Sequence, residues 1–312
     1  MLAACNGSLP EGIRPYENGA GPQLLLSVLA AEGDDDNLPE EYAILNLSLF
    51  LTDAGGSIVT EKYVHTAFYN APDAAGIRNC KSIPLPAGLI SAAPKDIYVI
   101  ANYDNTANLN AIATLDDLLR LTTPRLSGVN NMLLTTRGLP MFGLLTDADL
   151  SLPTVRIDLV RLCAKLDVTL TFTDPHWVGT NNRFGVDNAA AYTYFAFNND
   201  FVIAPSDLVY YPLITMRQLD TRVFRHIAYV YESKELPFMH LYTVINGEQH
   251  DYVAKDNFPL PVRNRLYDVD IEILPPLPSA TRSHSSDPTS PVITPPTITP
   301  PTIRRHVTER AW

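Results

Sequence analysis

The stretch Leu166-Asp167-Val168-Thr169-Leu170-Thr171-Phe172 alternates apolar and polar side chains without a break, and it constrains the fold more than any other segment. A period of two in apolar and β-branched residues buries one face of a strand and has no helical counterpart. The run continues backwards through Leu162-Cys163-Ala164-Lys165, which reads as one strand from near Arg156 to Phe172. Gln23 to Glu32 is an earlier strand, followed by the acidic loop Gly33-Asp34-Asp35-Asp36-Asn37, which cannot be buried without partners. From Tyr42 to Leu51, Ala43, Leu45, Leu47 and Leu49 alternate with Asn46 and Ser48 as in a half-buried strand. The turn residues Asp53-Ala54-Gly55-Gly56-Ser57 return the chain into Ile58-Val59 and Tyr63-Val64 as a hairpin. Asp96 to Asn102 has the apolar character of an interior strand. One clear helix signal occurs: Thr114-Leu115-Asp116-Asp117 matches a capping box with Asp in place of the better Glu, and Leu115, Leu118 and Leu119 share a helical face. Beyond Pro175 the runs Tyr192 to Phe197, Ile227 to Tyr231, His240 to Ile245 and Tyr267 to Leu274 are short, aromatic or β-branched, and separated by turns. Strands at such spacing, with hairpin turns and no repeated helical crossover, predict an all-β chain of antiparallel sandwiches, and 312 residues suffice for two.

A net charge of −11 leaves no basic stripe for phosphates and excludes broad nucleic-acid binding. No apolar run approaches the ~18 residues of a membrane-spanning helix. Seven histidines occur without His-x-x-x-His or Cys-x-x-Cys spacing, so neither a metal nor another cofactor has local support. Asp174-Pro175-His176-Trp177 reads as a loop after a strand with Trp177 capping the sandwich edge, and His226 and His240 read as structural histidines. No Gly-x-Ser-x-Gly elbow or phosphate-binding glycine loop is present, and the abundant acids read as a solvated surface. No catalytic residue is assigned.

The two ends of the chain are distinctive. Met1-Leu2-Ala3-Ala4-Cys5 resembles the lipobox of bacterial lipoproteins, in which the cysteine thiol receives lipid; a complete export signal would also place a charged start and an apolar stretch ahead of the small residues. Of the other two cysteines, Cys80 and Cys163, burial as free thiols is a better reading than a disulfide. From Pro275 onward Pro, Ser and Thr dominate, and Thr-Pro-Pro-Thr-Ile occurs at 294–298 and 299–303. Such a stretch favours extended polyproline II at ~3.1 Å per residue. It reads as a disordered spacer ending in Arg304 to Trp312.

Read in order, the segments resemble the fimbrillin family, the two-domain lipoprotein subunits of type V pili in Bacteroides-like bacteria. Asp96-Ile97-Tyr98-Val99-Ile100-Ala101-Asn102 is similar to the family's strand ending in Ala-Asn, and Thr114 to Leu121 to the short helix after it. Leu139-Pro140-Met141-Phe142-Gly143 resembles its Pro-Met-x-Gly turn, and Arg161 to Val168 its basic, small-residue strand entering the second domain. Tyr229-Val230-Tyr231-Glu232-Ser233 and Val262 to Val269 resemble its Tyr-x-x-Glu-Asn and Arg-Asn-x-x-Tyr-x-Val segments. The resemblance implies transthyretin-like β-sandwiches: a lipobox and linker over 1–21, a first domain over 22–154, a second over 155–274 and the tail over 275–312. It also implies a structural pilus subunit at the cell surface, held in the outer membrane by lipid on Cys5, with other fimbrial subunits as partners and a host or bacterial surface ligand as a further partner class.

Fimbrillins polymerise, as the resemblance implies, after a trypsin-like protease cuts the loop behind the first strand and a neighbour's donated strand fills the vacated groove. Here the loop Gly33 to Glu41 holds no Arg or Lys, Arg14 upstream is followed by Pro15, and the next basic residue downstream is Lys62. Arg14 is thus the candidate processing residue, and a poor one, so the first strand is expected to stay in place. That describes an anchor or terminal subunit better than a stalk subunit. Ile303 and Val307 are the candidate donor residues, a thin apolar set amid Arg304, Arg305 and Arg310. A rival reading, a lipid-anchored surface carbohydrate-binding protein, rests on Tyr192-Thr193-Tyr194-Phe195-Ala196-Phe197 and Tyr210-Tyr211, where core packing is the competing use of the rings.

Overall fold

The computed structural model describes residues 23–28, 38–64, 80–84, 93–126, 133, 138–177, 179–196, 203–254, 258, 260–275 and 301–311. The first half builds β1 (Gln23–Val28), β2 (Leu47–Asp53), β3 (Val59–Val64), β4 (Cys80–Pro84), β5 (Lys95–Ala101), α1 (Thr106–Ala111), α2 (Leu115–Leu119), β6 (Met141–Ala148) and β7 (Thr154–Arg161). Its strands form one sheet in the order β3-β2-β5-β6-β7-β1-β4. β6 joins β7 only through Met141, Phe142 and Gly143, and a side chain on Gly143 would strike Ile157 and Leu159 at 2.8 Å. At this narrow seam the sheet folds over itself, so that Leu47, Leu49, Leu51, Ile97 and Val99 from one half pack with Leu24, Leu26, Val28, Val155, Ile157 and Leu159 from the other.

The expected strand Tyr42 to Leu51 starts later, at Leu47, because Pro39–Tyr42 is a 3-10 turn. Between them Asn102, at φ 60°, takes over the backbone: its side chain accepts from Leu45 N at 2.7 Å and donates to Ala43 O at 2.8 Å. β2 is also buried on both faces, not one, since Phe50, Tyr98, Ile100 and Phe142 lie beneath the helices. The capping box forms as read, Asp117 N donating to Thr114 Oγ1 at 3.2 Å and Thr114 N to Asp117 Oδ2 at 2.9 Å. Hydrogen bonds from Ala113 N, the Thr114 hydroxyl and Thr114 N hold the Asp117 carboxyl below the usual carboxylate range. The second helix, α1, has little sequence signature beyond its Asn105 cap and buries only Leu109. The Pro-Met-x-Gly segment is the start of β6 rather than a turn, because Met141 and Phe142 pair with Ala101 and Ile100.

The second half builds β8 (Cys163–Phe172), β9 (Gly179–Ala190), β10 (Leu208–Thr215), β11 (Arg217–Asp220), β12 (Val223–Tyr231), β13 (Phe238–Ile245), β14 (Glu248–Ala254), β15 (Arg265–Leu274) and β16 (Thr302–Ala311). A four-stranded sheet, β10-β9-β13-β14, faces a five-stranded one, β11-β12-β8-β15-β16, across a core of Val168, Leu170, Phe172, Phe184, Leu241, Val269 and Ile271. The sheets are antiparallel except for β1 on β7 and β15 on β8.

Three sequence readings are corrected here. The strand expected from Arg156 to Phe172 is two strands, because Leu162 passes the chain from the first sheet to the second; the first sheet keeps Thr154–Arg161 beyond the expected division at 154. The end of the tail is ordered: Thr302–Ala311 lies antiparallel along β15 with Ile303 and Val307 on the core, while 276–300 is outside the described residues. The run expected as a strand from Tyr192 to Phe197 is described as far as Ala196, and over Tyr192 to Ala196 it makes one isolated bridge, Thr122 to Tyr194, in place of a strand.

Leu26→Ala should lower the unfolding free energy by about 2–5 kcal/mol in urea titration, and Leu25→Ala, at a half-buried position, by clearly less.

Candidate functional site

β1 lies inside the sheet, not at its edge. Gln23–Ser27 pairs antiparallel with Cys80–Pro84 on one side, and Gln23–Val28 pairs parallel with Thr154–Leu159 on the other. Leu24, Leu26 and Val28 are 0, 0 and 3 % exposed. Each such side chain contributes roughly 1.5–3 kcal/mol of burial. Loss of β1 would therefore open a slot with two unpaired edges and three empty apolar positions, a site that only another strand can fill.

The chain after the acidic loop is pinned where the two halves meet. Glu41, Arg161 and Lys165 are each fully buried. Lys165 Nζ stands 3.0 Å from Glu41 Oε1, the Tyr229 hydroxyl donates to the same oxygen at 2.6 Å, and Arg161 Nε donates to the Glu41 carbonyl at 3.0 Å. The Arg161 guanidinium also lies 4.8 Å from the Tyr42 ring centre and donates to Asn264 Oδ1 at 3.1 Å. Burial and the Glu41 carboxylate push the Tyr229 hydroxyl up, and burial pushes the neighbouring Cys163 thiol up, which leaves it a neutral, unreactive packing group. Glu41 on the turn before β2, Arg161 at the end of β7 and Lys165 and Tyr229 on β8 and β12 thus join both halves through one buried charge cluster. Sequence reading missed Glu41 altogether; its only signal was Arg161 and Lys165 standing in a strand otherwise destined for the core.

Cys5, Arg14 and the side chain of Cys80 lie outside the described residues. Lys62 lies within β3, and its ammonium donates to the carbonyls of Asn110 and Ile112 at the end of α1, so it offers no loop to a protease. Ile303 and Val307 are brought to the edge of the five-stranded sheet, a different sheet from the one that holds β1. The aromatic run has gone to packing: Phe195 is fully buried against Tyr103, and Tyr194 packs on the cluster around Cys163 and Tyr231 while its carbonyl accepts from Arg263. Trp177 packs on the second core as expected for an edge cap, and His240 is bonded to Asp251. Among the described residues no cluster of His, Cys, Asp or Glu could hold a metal, and no helix is long and apolar enough to cross a membrane.

The fold defines a class. The chain superposes on a candidate cell adhesion protein from Bacteroides eggerthii (TM-score 0.56, 16 % identity, 94 % of this chain and 97 % of that one). It superposes likewise on the tip fimbrial protein Mfa3 of Porphyromonas gingivalis (0.55, 14 %, 93 % and 99 %) and on a fimbrial assembly protein from Parabacteroides distasonis (0.50, 16 %, 80 % and 90 %). No curated protein matches it in sequence. Residues 26–157 match the family model of the major fimbrial subunit protein FimA.

Lys165→Met strands the Glu41 carboxylate in the interior and should cost about 3–5 kcal/mol in denaturant unfolding, with much of the loss recovered in the Glu41→Leu/Lys165→Met double variant.

Proposed function

We propose that this chain is a pilus subunit anchored at the outer membrane by lipid on Cys5, that it joins other fimbrial subunits by β-strand exchange, and that it anchors or terminates the fibre rather than repeating along it. The match of residues 26–157 to the FimA family model supports the fimbrial role and its cell-surface location. The observation that carries the anchor reading is the state of β1: an interior strand, paired on both edges, with no Arg or Lys from Gly33 to Glu41 and with Lys62 tied into β3. A subunit that keeps β1 has no vacancy for a neighbour's strand. Two or more acyl chains on Cys5, at ~0.8 kcal/mol per buried methylene, would hold it stably in the membrane. We read 22–161 and 162–311 as its two domains, divided where the chain changes sheets.

The remaining connection outward is β16. An antiparallel pair can be joined by a loop of 2–5 residues, yet a long Pro/Thr-rich stretch, 275–301, links Leu274 to Thr302, which are register partners. A tether of that length serves a strand that leaves its own sheet, and Ile303 and Val307 are its anchoring residues.

Mass spectrometry of the protein purified from its host envelope should find an acylated chain beginning at Cys5; a mature start within residues 34–62 would contradict retention of β1. Deleting Arg304 to Trp312 should abolish attachment to the adjoining subunit in pull-downs while the shortened monomer still unfolds cooperatively.

A further inference from the structure

We propose that β16 recognises an acidic sheet edge on a different subunit and is excluded from the β1 slot of a second copy of this chain. This rests on the strand-exchange reading above and adds the chemistry of the partner.

The β1 slot requires three apolar side chains at alternate positions. Leu24, Leu26 and Val28 fill it, packed among Val155, Ile157, Leu159 and the inner face of β2. β16 cannot meet the requirement in any register. Its inward row is Ile303, Arg305 and Val307; shifting by two brings Arg305, Val307 and Glu309, and shifting again brings Val307, Glu309 and Ala311. The opposite row presents Arg304, His306 and Arg310. Every choice places a charged or titratable group in a dry interior, where ionised side chains do not persist without partners. Sliding the other way brings in Pro300 and Pro301, each of which removes a ladder donor from a position that must pair on both edges.

The seat that β16 does occupy shows what suits it. There it is an edge strand, so half-buried Arg305 can carry its stem along the core and its head towards water. On the outer face β15 presents Asp268, Asp270 and Glu272 at alternate positions. Arg310 meets Asp268 at 2.9 Å, Arg304 meets Glu272 at 3.3 Å, and His306 is directly opposite Asp270. Exposed pairs of this kind are individually weak, but a row of them selects register and rejects strands of like charge. The partner fitted to β16 is therefore a subunit whose receiving edge carries a row of carboxylates on its outer face and two apolar pockets separated by an opening to solvent. A copy of this chain that lost β1 offers neither.

The test uses the full chain carrying Asp35→Arg, cut at that site and freed of its N-terminal fragment, with labelled peptides followed by fluorescence anisotropy. A peptide of residues 22–29 should rebind the slot, and its failure to do so would overturn the strand-exchange reading itself. The 301–312 peptide should bind at least about a hundredfold more weakly than its Arg305→Leu form, which restores three apolar positions. In parallel, the chain ending at Pro301 should bind the native 301–312 peptide along β15, with affinity falling at least about tenfold in Asp268→Asn/Asp270→Asn/Glu272→Gln and in raised salt. Equal binding of the native and Arg305→Leu peptides in the slot, or binding to the β15 edge indifferent to its carboxylates, would overturn the proposal.

Discussion

Everything in the first sheet leans on β1 being held from both sides. Its six residues connect β7 to β4, so the strand that comes first in the chain is also the seam that keeps β4 in the sheet. The parallel pairing with β7 matters as much as the burial of Leu24, Leu26 and Val28. Adjacent sequence segments cannot form a parallel pair by a tight turn, so the pairing of β1 with β7 is a contact between segments far apart in the chain. The slot makes two kinds of demand at once, two backbone edges and three apolar positions, and β1 satisfies both.

The charge cluster of Glu41, Arg161, Lys165 and Tyr229 separates the fate of β1 from the integrity of the rest. The chain from Leu38 onward is fixed within a few residues by contacts that reach both halves. Whatever happens to the strand before the acidic loop, β2 begins from a fixed point. A buried ion pair is a poor source of net stability, because desolvation offsets most of the attraction, but removal of either partner is severe. We regard it as a device that specifies one arrangement of the two halves.

Much of the fold was legible because period-two patterns survive wherever one strand face meets a core. β5, β12, β13 and β15 fall within or around the runs that the sequence marks, and the Thr114–Asp117 box fixes α2. The errors have physical causes. The apolar phase changes at Leu162, from the odd positions Val155, Ile157 and Leu159 to the even positions Leu166, Val168 and Leu170, and a reading of one continuous strand passes over that sign of a change of sheet. Tyr42 to Asn46 alternates like a strand, yet its backbone is satisfied by the side chain of Asn102, a partner that no local pattern discloses. β16 was read as disordered because Arg304, Arg305 and Arg310 dilute its apolar residues; on β15, Arg304 and Arg310 find Glu272 and Asp268. Of the candidate site, the sequence shows the lack of basic residues from Gly33 to Glu41, and the structure places Ile303 and Val307 on the second core. The junction was not legible, because Glu41 becomes informative only once Lys165 and Tyr229 are beside it.

The most direct test of the account is amide hydrogen exchange on the full chain, comparing β1 with β7 and β5. If β1 is an integral interior strand, the amides of Leu24 to Val28 should exchange only with global unfolding, at the same rate as those of Val155 to Leu159. Exchange of the β1 amides orders of magnitude faster, with β5 and β7 still protected, would mean that the slot opens in the intact subunit and would contradict the claim.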